Sequence, residues 1–530
     1  PQNDPTQILG TLKSNGQVMV LDRNGVLFGA NAVIDVGGII ATTGDLDATN
    51  QSALMSGSNT FQLSSVDANP ASAVTNQSTN FTVHDSGLAA FVAPYVTNSG
   101  TINARLGKVT LASGSRATID LTGDSLVQIA VNDKVNAALV KNEGVINAQG
   151  GIVNLTANAA KSVVDNVINM TGVINATTAD VADAATYGIN DGKIILSGGA
   201  DGKVAMSGTM YAKDITASGD TVSVTGRTTI GDSHMVIDAQ HLSLSDSIYN
   251  GVNLALDAGQ LTGTALDVSV TSDHASLQEA VNLAGSGATV NVSAGDYAEN
   301  LLIDKSLTLT TSGNARLYGV QENGTIISVT ADNVTINGFE INGLNAPWAK
   351  PGSALLPAAP SFNNDDGGGA VEGGGGVVIF PPPQTAYSGY GIVASGVNGL
   401  TLTNNSIHDT TAIGLDATAA GNGHITLAGN TFTNNPTGAA FGSGTVNLTG
   451  ATNTFTGGDT ALVFQNAGTS LTGNTLGTTQ FTGQSAYYVW LKNGAFFAPG
   501  APTMIDGTHA TFGGVGGNTL NRPQVASIEN

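Results

Sequence analysis

The stretch Asn98-Ser-Gly-Thr-Ile-Asn-Ala104 returns as Asn142-Glu-Gly-Val-Ile-Asn-Ala148 and, shortened, as Thr171-Gly-Val-Ile-Asn-Ala176. The first two copies stand 44 residues apart, which reads as two turns of about 22 residues each, a usual coil length for a solenoid. Around them lie short segments in which two apolar side chains flank a third residue, usually small or polar: Val109-Thr-Leu111, Val153-Asn-Leu155, Ile194-Ile-Leu196, Val222-Ser-Val224, Leu242-Ser-Leu244, Leu254-Ala-Leu256 and Val268-Ser-Val270. That alternation marks strands with one buried face. Helical periodicity is nearly absent, so the expected fold is all-β.

The second half has a repeat of its own, in Leu400-Thr-Leu-Thr-Asn-Asn405, Ile425-Thr-Leu-Ala-Gly-Asn430, Asn447-Leu-Thr-Gly-Ala-Thr-Asn453 and Leu471-Thr-Gly-Asn474. Its marker asparagines are 25, 23 and 21 residues apart, one coil per step. Asn suits a corner on two counts. It tolerates the left-handed backbone of a tight bend, and its amide can donate to and accept from the equivalent amide one coil away. The pattern predicts a right-handed parallel β-helix, a solenoid with neighbouring strands about 4.8 Å apart.

The chain has 530 residues, with 17 Lys and Arg against 39 Asp and Glu, a formal charge of −22. Such a chain is repelled by phosphate backbones, so nucleic acid is excluded as a partner. Only 11% of residues are charged while 41% are hydrophobic, the reverse of a disordered composition. Cys is 0, which excludes thiol chemistry and fits a chain that crosses membranes unfolded, with a cysteine-free cytosolic protein as the alternative. No apolar run reaches the roughly 18 residues needed to span a bilayer, and the start, Pro1-Gln-Asn-Asp-Pro5, lacks the plan of a signal peptide.

One helix is expected near 274–285. Ser276-Leu-Gln-Glu279 reads as a capping box, and Leu277, Ala280, Val281 and Ala284 form an apolar stripe that Gly285 ends. It would plug the end of a second β-helix beginning near Val290 or decorate one continuous rod; the plug is the preferred reading. Residues 346–388, with Pro347, Pro351, Pro357, Pro360, two glycine runs and Pro381-Pro-Pro383, cannot form a sheet interior and read as a long insertion leaving one coil.

The segment Ile8-Leu-Gly-Thr-Leu-Lys-Ser-Asn-Gly-Gln-Val-Met-Val-Leu-Asp-Arg-Asn-Gly-Val-Leu-Phe-Gly29, followed by Val36-Gly-Gly-Ile-Ile-Ala-Thr-Thr43, closely resembles the secretion domain of two-partner secretion exoproteins, the filamentous-haemagglutinin-like adhesins of Gram-negative bacteria. The family's Asn-Pro-Asn-Gly turn reads Asp22-Arg23-Asn24-Gly25 here, so its last two positions match and its first two depart. The resemblance implies a secretion motif at Asp22, Arg23, Asn24, Gly25, Phe28, Gly29, Gly37 and Gly38, and an outer-membrane transporter as partner. The family's first coil, cap and Asn-Pro-Asn-Leu motif are not seen upstream, so the secretion domain is expected to be partial. The resulting division is a partial secretion domain at 1–97, a β-helical shaft at 98–271 and a second β-helical segment at 272–530. From about Ser276 the chain also looks like pectate-lyase-like β-helix repeats, a fold shared by enzymes and non-enzymes.

A β-helix lyase or hydrolase needs clustered carboxylates and a basic residue, often with calcium. The signatures of such enzymes are absent, and after Lys350 the next basic residue is Lys492. Asp365-Asp366 reads as a solvated loop tip, with calcium the remaining alternative. The 7 His, at 84, 234, 241, 274, 408, 424 and 509, have no helical metal spacing. His408-Asp409 and His424 fall near bends and could meet across coils, with structural hydrogen bonding the expected role. Tyr487-Tyr488-Val489-Trp490 and Phe496-Phe497 form the densest aromatic cluster; covering the last coils is the expected role, stacking on sugar the alternative. Thr-x-Thr pairs such as Thr401-Leu-Thr403 do not persist from coil to coil, so an ice-ordering face is not expected.

These readings describe a secreted or cell-surface adhesin or structural exoprotein with no enzymatic role, cofactor or metal, mediating attachment or biofilm matrix formation. Polysaccharide, a cell-surface receptor or further copies of the chain are the partners it admits. A β-helix polysaccharide lyase or hydrolase and a self-assembling filament subunit are the alternatives.

Overall fold

A computed structural model describes residues 4–58, 60–120, 139–158, 167–177, 192–249, 259–344, 388–420, 423–442, 444–448, 451–465, 470–472, 479–492, 511–513 and 525–529. Two compact units divide the chain, residues 1–269 with 282–285 and residues 270–281 with 286–530. Each unit is a parallel β-helix. Apart from Ser388, the insertion read at 346–388, Asp365-Asp366 included, lies outside the described residues, as do Asn474, Phe496, Phe497, His509 and Leu254–Leu256.

In the first unit three strand columns run side by side. One column stacks Thr6–Ile8, Gly25–Phe28, Ala73–Asn76, Tyr95–Asn98, Leu139–Asn142 and Ile168–Met170, each parallel to the next. A second takes Val33–Val36 through Asn80–Val83 and Thr101–Asn103 to Val145–Asn147 and Val173–Asn175. The third runs from Ile39–Thr42 through Leu88–Val92, Lys108–Ser113, Ile152–Ala157 and Lys193–Ser197. Alternate residues point inward, and Phe28, Phe81 and Phe91, one from each column, meet in the core with centroids 5.1 to 5.7 Å apart. Each buried ring contributes about 2–3 kcal/mol of transfer free energy.

The 44-residue step is one coil, not two turns. Asn98 pairs directly with Asn142 in the parallel register. The surplus residues leave the coil sideways: Ala117–Asp120 pairs antiparallel with Thr60–Leu63, and this flap lays Phe61, Leu63, Val66 and Ile119 over Ile40, Ala90 and Val92. Leu88–Val92 is therefore buried on both sides, which explains its unbroken apolar run. A helix not expected from the sequence, α1 (Ala48–Met55), belongs to this region. It buries no residue, so it carries no apolar stripe to read, and Asp47 caps it by accepting from Asn50 N at 2.8 Å.

The repeated Asn-x-Gly places two columns at one corner. Asn76 Nδ2 donates to Asn98 Oδ1 and Asn98 Nδ2 to Asn142 Oδ1, both at 2.8 Å and fully buried. Beside them Gly100, Gly144 and Gly172 stack so closely that a Cβ on Gly144 would sit 2.0 Å from Gly100 O.

In the second unit the three columns are three separate faces. One contains Leu307–Thr311, Thr335–Asn337, Leu400–Thr403 and His424–Ala428; the next Gly295–Ala298, Ala315–Tyr318, Glu340–Asn342 and Ser406–His408; the last Leu301–Ile303, Thr325–Val329, Tyr390–Ser395 and Ile413–Ala419. The marker asparagines stack as expected: Asn405 Nδ2 donates to Asn430 Oδ1 at 3.1 Å and Asn430 Nδ2 to Asn453 Oδ1 at 3.2 Å. The left-handed backbone, however, falls on the residue before two of these markers, with Asn404 at φ 55° and Gly429 at φ 70°. Bend and ladder are thus divided between neighbours.

The Thr-x-Thr pair does not persist from coil to coil, but one of its two ranks does. Thr289, Thr308, Thr335, Thr401 and Thr426 lie in register in five successive coils. Its companion rank is mixed, and its groups bond one another: Asn337 Nδ2 donates to Thr310 Oγ1 at 3.0 Å and Thr403 Oγ1 to Asn337 Oδ1 at 2.8 Å.

Helix α2 (Leu277–Leu283) forms where the capping box predicts, and the chain passes from it straight into the strand Ala284–Val292. Ser276 Oγ accepts from Glu279 N at 3.3 Å. The larger part of the cap comes from Glu299, one coil on. It accepts from Leu277 N at 2.7 Å, Gln278 N at 3.0 Å and Ser276 Oγ at 2.8 Å. Burial pushes the Glu299 carboxyl up, against the pull of these three donors. The folded chain thus holds this proton more tightly than the unfolded chain, so the stability it contributes is present at low pH and is lost as pH rises through the raised value. Glu299→Ala is expected to cost about 2 kcal/mol by orphaning the helix N–H groups, and Glu299→Gln to flatten the pH dependence; urea midpoints across pH check both.

Candidate functional site

The secretion-motif residues begin at the end of the strand Thr11–Leu21. Gly25 N donates to Asp22 O at 2.9 Å and Asn24 N to Asp22 Oδ1 at 2.9 Å, closing a four-residue turn. Thr6 Oγ1 donates to Asp22 Oδ2 at 2.7 Å. Burial pushes the Asp22 carboxyl up, but the bonds from Thr6 and Asn24 outweigh it and hold the group below the usual range. Gly25 takes φ 120°, and a Cβ there would meet Ala73 O of the next coil at 2.5 Å. Only glycine fits.

Arg23, where the family turn has Pro, points outward. Its guanidinium grips Asp45 with both Nε, at 2.9 Å, and a terminal nitrogen. The hydrogen bond to Asp45, with its charge, raises the already high Arg23 pKa. Arg23 therefore ties the bend to the segment leading into α1.

Downstream motif residues serve the coil. Phe28 is one of the three core rings, and Gly29 N donates to Ile8 O at 2.9 Å. Gly37 and Gly38 lie opposite the irregularity between Ser14 and Gln17, where a Cβ on Gly37 would approach Asn15 O to 2.6 Å. Next to this bulge is an open cleft of about 410 Å³ lined by Lys13, Ser14, Asn15, Asp35 and His84. Asp35 pairs with Lys13 at 3.1 Å and His84 at 2.9 Å, and these partners, His84 foremost, hold its carboxyl below the usual range. Asp45 and Asp35 carry no local motif, and His84 stands in the sequence only as one of seven dispersed histidines, so sequence reading did not assign them to a site.

The other candidates are dispersed. His408 Nδ1 contacts Asp409 at 2.7 Å and its Nε2 contacts Glu340, one coil away, at 3.3 Å. His424 stands on a different face and does not join them. The strand Tyr487–Lys492 is followed by another rung, Val525–Glu529, and Trp490 is half-buried. Among the described residues no group of three or more metal-binding side chains is placed to hold an ion, and no helix is long and apolar enough to cross a membrane.

Residues 1–206 match the model of the TPS secretion domain. A protein of Haemophilus influenzae named "Heme/hemopexin-binding protein" is 33% identical over 156 residues, 29% of this chain and 16% of that protein. A second protein of that name from the same species is 28% identical over 221 residues, 36% of this chain and 21% of that protein. The chain thus spans about a fifth or less of the length of these relatives. The crystal structure of the HMW1 secretion domain from Haemophilus influenzae is 21% identical and covers 62% of this chain and 79% of that one, at a TM-score of 0.33 that is too low to carry weight. Residues 1–206 are therefore a two-partner secretion domain, the domain that marks exoproteins delivered to the extracellular space or cell surface of Gram-negative bacteria.

Proposed function

We propose that the chain is an adhesin or matrix-building exoprotein exported through an outer-membrane two-partner secretion transporter. The observation that carries this reading is the secretion-domain match at residues 1–206 on a chain with 0 Cys whose coils each pair with the coil before. A cysteine-free chain threads a barrel unfolded, and coil-by-coil folding outside opposes back-sliding, since each coil needs only its neighbour. Residues 1–97 are the part we assign to transporter recognition, with 98–271 and 272–530 presenting the polar surface.

The Asp22–Gly25 bend is the proposed recognition feature. Co-expressed with its transporter, the double variant Asp22→Ala, Gly25→Val is expected to reach the medium at a tenth or less of the wild-type level, while Glu322→Ala, exposed in the second unit, is exported normally. Equal export of both overturns the assignment. Attachment is tested separately, by beads coated with the purified chain; beads that adhere to no bacterial or host surface overturn the adhesin reading.

One observation favours polysaccharide cleavage as a second reading: Arg316, Glu340 and His408 lie on one sheet face, as a lyase or hydrolase needs. Against it, Arg316 is paired with Asp296 and His408 lies between Glu340 and Asp409, so both side chains are already engaged within the protein. Release of reducing ends or unsaturated sugar from any polysaccharide by the purified chain would establish it.

A further inference from the structure

We propose that the outer face of the sheet formed by Gly295–Ala298, Ala315–Tyr318, Glu340–Asn342 and Ser406–His408 binds an uncharged, hydroxyl-rich glycan chain lying along the stack of coils. This deepens the attachment reading and rests on it.

Two lanes of side chains alternate with the core here. One is Asp296, Arg316, Glu340 and Ser406 in register; the other is Ala298, Tyr318, Asn342 and His408, of which Asn342 is buried and accepts from Leu344 N at 2.9 Å while the rest are partly exposed. The residues between them, such as Leu317 and Ile341, fill the core and hold the face rigid. Arg316 Nε stands 2.8 Å from Asp296 Oδ1. His408 bridges Glu340 at 3.3 Å and Asp409 at 2.7 Å, and Asn434 Nδ2 donates to Asp409 Oδ1 at 3.1 Å. Tyr318, half-exposed, has Arg316, Asp296 and Glu340 as its charged neighbours. In a chain with only 11% charged residues, carboxylates, an arginine, a histidine and an aromatic ring are gathered on four consecutive rungs.

The arrangement selects its ligand. The carboxylates Asp296, Glu340 and Asp409 stand against one arginine, Arg316, and the chain carries −22 overall, so an anionic polymer is repelled. Arg316 lies against Asp296, and His408 lies between Glu340 and Asp409, so these groups are held in place within the protein and no bare cation is left to capture an anion. Groups fixed in this way, beside one aromatic ring, suit sugar hydroxyls and the apolar face of a pyranose. Rungs recur about every 4.8 Å, close to the length of one sugar in an extended chain. Beyond His408 the same lanes continue with Thr431 and Thr433, then Thr454 and Thr456, extending an uncharged hydroxyl surface for further sugars.

Affinity gel electrophoresis of the full chain tests this with three probes: a soluble neutral glucan, polygalacturonate and chitosan. The neutral glucan is expected to retard the chain most. Tyr318→Ala and His408→Ala should each weaken retardation about tenfold, while Tyr318→Phe, which keeps the ring, retains most of it. Thermal midpoints near that of the parent chain show that the variants fold. Absence of retardation by glucan, a stronger effect of either charged polymer, or full retardation of Tyr318→Ala overturns the proposal. Coated beads that adhere regardless of added glucan overturn this site and leave attachment standing; beads that never adhere, with glucan retardation intact, overturn attachment and leave the site.

Discussion

Gly144→Ala is expected to destabilise the first unit by about 3 kcal/mol, far more than an exposed glycine replacement. The added carbon would lie 2.0 Å from Gly100 O and 2.8 Å from Ser99 C, both backbone atoms of the preceding coil. Neither can yield without separating the coils, because Gly100 is itself pressed on Ser78 O and Gly172 on Gly144 O. Gly10→Ala is the control: nothing lies within 4 Å of its added carbon, and a change below about 0.5 kcal/mol is expected. Urea midpoints for both variants check the difference, and a stable Gly144→Ala would mean that the corner is not packed as described.

Asn430→Ala is the second large effect, about 3–4 kcal/mol. Asn430 Oδ1 accepts from both Asn405 N and Asn405 Nδ2, while Asn430 Nδ2 donates to Leu402 O and Asn453 Oδ1. All three asparagines are buried, so truncating the middle one strands partners on both neighbouring coils. Asn404→Gly, one coil earlier, should change stability by only about 0.5 kcal/mol, since glycine meets its φ of 55° without strain. Thermal or urea melts of the second unit separate the two outcomes.

What the sequence revealed was whatever is written locally. Alternation around Val109-Thr-Leu111 or Val153-Asn-Leu155 is a property of neighbouring residues, and the strands stand where it puts them. Asn405, Asn430 and Asn453 announce the ladder because each coil repeats the same corner. The length of a coil was harder to read. Ala117–Asp120 leaves the stack between Asn98 and Asn142 to pair with Thr60–Leu63, and no periodicity distinguishes an excursion from a second turn. The Thr335–Thr401 step was hidden for the same reason: the pair is adjacent in register but 66 residues apart in sequence.

The candidate sites follow the same division. Asn24-Gly25 declared its own bend, through the backbone that Gly25 must adopt. The partners that fix it did not: Thr6 and Asp45 reach the bend only because the chain has gone round the coil. Glu299 lies 22 residues beyond Leu277, whose N–H it accepts, and gives no sign in sequence of being a helix cap. The face bearing Arg316, Tyr318, Glu340 and His408 is likewise assembled by register alone.

The parallel register of successive coils is tested most directly by joining two of them. Thr101 and Val145 are partners on adjacent strands in a chain with 0 Cys. Their Cα atoms, about 4.8 Å apart as in any neighbouring strands, lie within the range a disulfide spans. Thr101→Cys combined with Val145→Cys is predicted to form an intramolecular, reductant-reversible cross-link under mild oxidation, in high yield and with the fold retained. If the 44-residue step were two turns instead, the pair would stand roughly 9.6 Å apart. A folded double variant that stays fully reduced would contradict the stacked-coil structure.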